Sequence, residues 1–409
     1  MSVLTKIEAR EVLDSRGNPT LEVTALAENI SASFSVPSGA STGSHEALEK
    51  RDGDKNRFRG LGVLGAVENI NKIISPALSG IDPSEQKQVD SALLKLDGTS
   101  NKSRLGGNAT IGVSIACAKL AAQLKNIEVF EHLKTLANIK NSHKIPYLYM
   151  NLVNGGKHAQ SKIAFQEYHV VPMVDDIETA LDIGTKIQYA LKKKLAEGFG
   201  VSSANYGDED GFVPTFSDVK KPLEILLQII EENKLLDKVK LALDVAASSF
   251  YEKGKYNFNE KNHTSDELLD FYQTLTNSFP MLSIEDPFYE EDFGRFAELL
   301  AQKKVKVVGD DLTVTNPARL KEAINQKSIN AIIIKPNQIG TLTETLETMK
   351  LARENNVECI VSHRSGETTD DFIADLAYAF GTFGIKTGAP HGGERVSKYN
   401  RLLKITKAF

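Results

Sequence analysis

The chain has 409 residues, 41% apolar and 25% charged, which fits a globular protein of two domains and excludes a single small core. Its net charge of −5, from 49 basic and 54 acidic side chains, argues against nucleic acid or an anionic membrane as the main partner. No apolar run reaches the roughly 18 residues of a membrane span, and the charged start, MSVLTKIEAR, has no secretory h-region.

Residues 6–29 and 30–37 alternate apolar and polar side chains around the turn DSRGNP, the pattern of an antiparallel β-meander. SVPSGASTGSHE (35–46) is a Pro/Gly/Ser stretch of the kind that forms a loop or lid. GLGVLG (60–65) matches a dinucleotide fingerprint letter for letter, but the charged EKRDGDKNRFR before it is no strand, so the match fails its context. From Gly65 to about Leu136 the period is helical, in AVENINKIISPAL, EQKQVDSALLKL and ATIGVSIACAKLAAQLK. Strands followed by helices predict a small α+β domain over 1–135. LANIKNSHKIP (136–146) is the predicted linker, and the second domain covers 142–409. Cys117 and Cys359 sit in apolar runs without short-spaced ligands, so they read as reduced, buried, structural thiols of a reducing compartment.

Beyond the linker, short aliphatic runs recur, each ending in a polar or charged residue. Asp244, Glu285, Asp310, Lys335, His363 and Lys386 occupy those ends, the last five being 25, 25, 28 and 23 residues apart with helical stretches between. That period predicts β/α units closing into a barrel, with the charged strand ends at one mouth. A single acid at a strand end is most often a cap. Asp244, Glu285 and Asp310 together predict a site for a hard divalent cation, and oxygen-only ligands favour Mg²⁺ over Zn²⁺. Lys335, expected near that ion and near Lys386, reads as an amine with a lowered pKa. A metal beside a neutral amine suits removal of a proton α to a carboxylate. A Schiff base is the other chemistry open to such a lysine, but it needs no acidic triad. SHRSGE (362–367) offers Arg364 and a hydroxyl for an anion, and GDEDG (207–211) offers a carboxyl group for a leaving group or an exposed acidic turn. His158, on the Gly-rich turn NGGKHAQ, reads alone as structural.

VLDSRGNPT, VPSGASTG, NGGKHA, QEY, GDED, LALDVAAS, IEDPF, GDDLTVTNP, IKPNQIGTLTET, VSHRSGET, IKTGAP and ERVSKYNRL follow one another over nearly the whole chain. In order and spacing they resemble the enolase family. The resemblance implies a small α+β domain followed by an atypical β/α barrel that opens with a β-hairpin. It implies Mg²⁺-dependent dehydration of 2-phosphoglycerate to phosphoenolpyruvate; a lysine base with Mg²⁺ is the enolase-superfamily arrangement itself. By position it assigns Asp244, Glu285 and Asp310 to one Mg²⁺ and Ser41 to a second. It makes Lys335 the base and Glu209 the acid. Arg364 and Ser365 fall on phosphate contacts, Lys386 on a carboxylate contact, and His158, Gln166, Glu167 and His363 on the rest of the pocket wall. A cytoplasmic homodimer or octamer is implied, with a cell-surface pool in some members. Another superfamily lyase and a non-catalytic binding role on the same fold are the alternatives.

Five positions depart from the family pattern. Asp210 stands where glycine is usual, and its charge is expected to raise the pKa of Glu209, itself expected to be held protonated by acidic surroundings. Ser249 stands where glutamate is common, and Pro336 removes a backbone donor after the base. Gly392 and Gly393 replace an arginine and a small residue, which is expected to weaken a subunit contact or local packing.

Overall fold

The computed structural model describes residues 2–39, 43–139, 144–159 and 161–408. Strands β1 (Leu4–Leu13), β2 (Pro19–Ala27) and β3 (Ile30–Ser35) form the antiparallel meander, in the order β1-β2-β3. The first turn is fixed locally: the Asp14 carboxylate accepts from the backbone N–H of Arg16 and of Asn18, both at 2.9 Å, and Gly17 takes φ 71°. The inner face of the sheet, including Leu21, Val23, Ala25 and Phe34, is buried against the helix Gly107–Leu124. Small residues bring that helix close. A Cβ on Gly112 would stand 2.7 Å from Val23 Cγ2. Ile111, Val113, Ile115 and Leu120 are all buried, so the helix is apolar nearly all round, and each such side chain contributes roughly 1.5–3 kcal/mol of burial.

The predicted linker starts late. Leu136 and Ala137 complete the helix Val129–Ala137, because Asn138 supplies a left-handed C-cap (φ 54°); residues 140–143 lie outside the described residues. The predicted helix 66–78 is helical but runs through a π-turn over Asn69–Ile74. Both cysteines are buried and free, and burial pushes the Cys359 thiol up to about 12.

The second half is a closed eight-stranded barrel. Its strands are β4 (Tyr147–Asn154), β5 (Glu167–Pro172), β6 (Val239–Asp244), β10 (Met281–Glu285), β11 (Lys306–Gly309), β12 (Ala331–Ile334), β13 (Glu358–Ser362) and β14 (Gly384–Lys386). Between β6 and β10, strands β7 (Tyr251–Glu252), β8 (Lys255–Phe258) and β9 (Lys261–His263) form a small separate sheet. Strand β5 is antiparallel to both β4 and β6, while every other neighbouring pair in the barrel is parallel. A hairpin needs no crossover helix, which is why β4 and β5 escape the period of about 25 residues that exposes the later units. Tyr149, Val171, Ala242, Val308, Ile333 and Ile360 fill the barrel interior, so it is a packed core rather than a channel.

The meander domain rests on the carboxyl-end mouth of the barrel. Ser38 and Gly366 exchange backbone hydrogen bonds (2.7 and 2.9 Å). Asp90 accepts from Thr343 N (2.8 Å) and Oγ1 (2.6 Å), and Lys102 pairs with Glu344 at 2.8 Å. Among the described residues, no helix is long and apolar enough to cross a membrane.

Candidate active site

Strand register builds the site. Glu167 lies opposite Asp244, and Asp244 lies opposite Glu285, so three carboxylates stand in a row at one level of the mouth. Because β5 runs backwards, it is its first residue that joins this row. Asp310, Lys335 and His363 each follow their strands by one residue, and Lys386 ends β14. Lys386 is 1% exposed. Its Nζ donates to both oxygens of Glu285 (2.9 Å each) and lies 3.2 Å from Glu167 and 3.6 Å from Asp244. The Lys335 ammonium pairs with Asp310. Gln338 Nε2 donates to Asp310 Oδ1 (2.9 Å), and Thr315 donates to Gln338 Oε1 (2.8 Å) while accepting from Lys335 N (2.9 Å). Pro336 costs the site nothing: it opens a short helical turn, where the missing N–H needs no partner. Ser249 is exposed, and nothing in the structure ties it to the site.

Opposite the lysines stands Glu209, 2% exposed. Its carboxylate lies 3.4 Å from His158 Nδ1 and 3.3 Å from His363 Nε2, and accepts from Asn151 Nδ2 at 3.1 Å. His158 Nδ1 is also 3.5 Å from Glu167, so it sits between two acids. Arg364 Nη1 donates to Glu46 Oε2 (2.9 Å) and to Asn337 Oδ1 (3.0 Å), and its Nη2 donates to Glu46 Oε1 (3.2 Å). His158, Gln166, Glu209, Lys335, Arg364 and Ser365 line one narrow cleft. Ser41 lies outside the described residues.

The donor set fits a hard dication. It is all oxygen, and it includes Gln166 Oε1, which is buried without a hydrogen-bond partner while its Nε2 donates to Asp244 at 3.2 Å. Burial, partly offset by Lys386 but reinforced by Glu167 and Asp310, pushes Asp244 up to about 6, and burial with Asp244 raises Glu285 well above the carboxylate range. Anions so disfavoured gain from a cation. The tightest acidic cluster is not the predicted triad, however. Asp310 gathers with Asp286 and Asp311, their ligand atoms all within 4.8 Å. Asp286 is already committed, accepting from the backbone N–H of residues 310 (3.0 Å) and 311 (2.7 Å). Its left-handed backbone (φ 41°) is strained for a side-chain-bearing residue and turns the carboxylate under the end of β11.

The protein's own charges bear on three electrostatic expectations, and the one for Lys335 supposes a dication beside the amine. Burial lowers the Lys335 pKa, but the Asp310 carboxylate outweighs burial, Arg364 and Lys386, and holds the amine above the ordinary lysine value. Burial raises Glu209, but His363, His158 and Arg395 outweigh it and hold the carboxyl well below its ordinary range. Asp210 does not act on Glu209. Its backbone is left-handed (φ 61°), and its carboxylate turns to His391, with Oδ1 3.3 Å from Nδ1. Sequence reasoning passed over Glu46, Asn151, Asp286, Asp311, Gln338 and Arg395. The doubled acids of IEDP and GDD were the available signal for Asp286 and Asp311.

Two departures from the family pattern meet in space. A Cβ on Gly392 (φ 71°) would lie 2.2 Å from Asp210 Oδ2, so the carboxylate of one occupies the room that the other leaves. His391 stacks on Tyr206 at 4.2 Å beside them. Asp210 thus fills the space beside Gly392, although its Oδ2 is buried there without a hydrogen-bond partner. Gly392→Ala is expected to destabilise the protein by about 1–2 kcal/mol through its left-handed backbone and this clash. A shift of the urea midpoint measures it, and Asp210→Gly in the same chain is expected to recover the part due to the clash.

Fold and site define a β/α-barrel enzyme equipped to take a proton from carbon beside a carboxylate, with oxygen ligands for a hard cation. Residues 4–133 match the profile described as "Enolase, N-terminal domain" and residues 142–409 the one described as "Enolase, C-terminal TIM barrel domain". The chain is 47% identical to the enolase of Methanocaldococcus jannaschii (98% of this chain, 94% of the relative). It is 46% identical to the enolase of Corynebacterium kroppenstedtii (99% and 95%) and 44% identical to enolase B of Dictyostelium discoideum (98% and 94%). The chain belongs to the enolase family.

Proposed function

We propose that this chain is a phosphopyruvate hydratase that reversibly dehydrates 2-phosphoglycerate to phosphoenolpyruvate in glycolysis and gluconeogenesis, with Lys335 as base and Glu209 as acid. The observation that carries the reading is the pair of buried groups facing across one cleft, an amine among carboxylates on one side and a carboxyl among histidines on the other. Lys335 takes the C2 proton. Asp310 holds that amine protonated until its charge is drawn elsewhere, and Asp244, Glu285 and Asp310 are the residues that would hold Mg²⁺. When bound, the ion supplies positive charge against the substrate carboxylate as the enediolate develops. Lys386 presents a second fixed cation to that carboxylate. Arg364 and Ser365 anchor the phosphate, with Glu46 and Asn337 holding the guanidinium plane. Glu209 takes up a proton once the anionic substrate lies against it, gives that proton to the departing C3 hydroxyl and takes it back in the reverse direction. His158, Gln166, Glu167 and His363 complete the wall.

The reading also assigns residues 1–135 to a capping domain and 142–409 to the barrel, gives Ser41 a second Mg²⁺, and places a homo-oligomer of at least two chains in the cytoplasm. Likeness of the SGASTG motif supports the second ion. Chelation tests the metal requirement. EDTA is expected to abolish formation of the enol product, read as ultraviolet absorbance, and excess Mg²⁺ to restore it. A Schiff-base enzyme would be indifferent to both.

A further inference from the structure

Arg395 stands in the helix Gly393–Ala408 and is 0% exposed. Its Nη1 meets His363 Nδ1 at 2.6 Å and donates to Arg364 O at 2.8 Å. Its Nη2 donates to Asp208 O (2.7 Å) and to Ser365 O (2.8 Å). A guanidinium has five donors and no acceptor, and keeps its proton in proteins. In the Arg395–His363 contact the imidazole nitrogen must therefore accept. His363 is then neutral, and its single N–H sits on Nε2, 3.3 Å from Glu209 Oε2.

We propose that Arg395 is a positioning residue for the reaction: it fixes His363 as the Nε2–H tautomer aimed at Glu209, and it ties the loop carrying the acid to the loop carrying Arg364 and Ser365. The proposal rests on Glu209 being the acid. One planar group performs both tasks because its two terminal nitrogens diverge. Nη1 holds the imidazole and the 362–367 loop, while Nη2 bridges that loop to Asp208, immediately before the acid. A lysine ammonium at the same place offers one nitrogen and cannot span the same four acceptors. Plain stapling of loops would need only the carbonyls. The bond to an imidazole nitrogen adds nothing to stapling and instead decides where the ring proton sits. The geometry is built to close tolerance as well, since a Cβ on Gly388 would lie 3.0 Å from Arg395 Cδ and 2.8 Å from Glu209 O.

The test uses the full chain with Mg²⁺ and compares wild type, Glu209→Gln, Arg395→Gln and Arg395→Lys. In Arg395→Gln, kcat for dehydration is expected to fall about 100-fold, the lower end of what a positioned acid contributes, while exchange of the C2 hydrogen with solvent stays within about threefold of wild type. Arg395→Lys is expected to recover only part of the loss. Equal loss of exchange and dehydration would overturn the proposal, as would no loss at all. If Glu209→Gln itself fails to separate the two rates, the assignment of the acid is what fails. If it separates them and Arg395→Gln does not, this proposal alone fails. A variant that does not fold leaves a second reading on the native protein. ¹⁵N spectra of histidine-labelled enzyme, with His363→Gln for assignment, are expected to show Nδ1 bare and Nε2 protonated at position 363. The reverse tautomer, or a doubly protonated ring at neutral pH, refutes it.

Discussion

Lys335→Ala is expected to stop exchange of the C2 hydrogen of 2-phosphoglycerate with solvent and to lower turnover by about 10⁴-fold, the upper range for a positioned general base. No other amine in the cleft can take over. Lys386 is engaged by both oxygens of Glu285 and lies within 3.6 Å of Asp244, so its own proton is held well above the ordinary lysine range. The fold survives the change, because Lys335 N still donates to Thr315 Oγ1 and Gln338 still donates to Asp310. Proton NMR in heavy water measures the exchange directly. Exchange persisting near the wild-type rate would remove Lys335 from the mechanism.

Glu209→Gln has a different signature. Exchange at C2 is expected to continue, while net loss of water is expected to fall by about 10³-fold, within the span of a lost general acid. The substitution keeps the shape of the side chain, so the wall of His158, Asn151 and His363 retains its packing. What disappears is the ability to carry a proton to the C3 oxygen. Loss of exchange in step with dehydration would show that the two groups act on one proton rather than two.

Much of this site was legible because strand ends are written into the chain as aliphatic runs that stop at a charge. Asp310, Lys335, His363 and Lys386 could be placed at one mouth without coordinates. The hairpin of β4 and β5 could not be placed by the same means, since it has no helix to set a period. Its acid, Glu167, joins the row through antiparallel register. Electrostatics was misread where sequence neighbours stood in for spatial ones. Asp208 and Asp210 flank Glu209 in the chain, yet its partners are two histidines and an asparagine from elsewhere, because a left-handed backbone at 210 turns that carboxylate away. Lys335 is expected to lose its proton readily beside a dication; among the protein's own groups its partner is Asp310, a strand away. Arg395 lay inside a quoted motif and still had no assignable task, because its acceptors are backbone carbonyls and a ring nitrogen that only the tertiary fold brings together.

The grip of Glu46 on Arg364 joins residues 318 positions apart, and the bond from Glu367 N to Ser15 spans 352. Closing such long loops comes late in folding. A barrel that has zipped up before the N-terminal domain docks has the Arg364 guanidinium without its counter-charge Glu46 and only half a binding wall. A chain whose barrel has formed but whose N-terminal domain has not docked would thus hold native-like secondary structure while still lacking a complete binding wall.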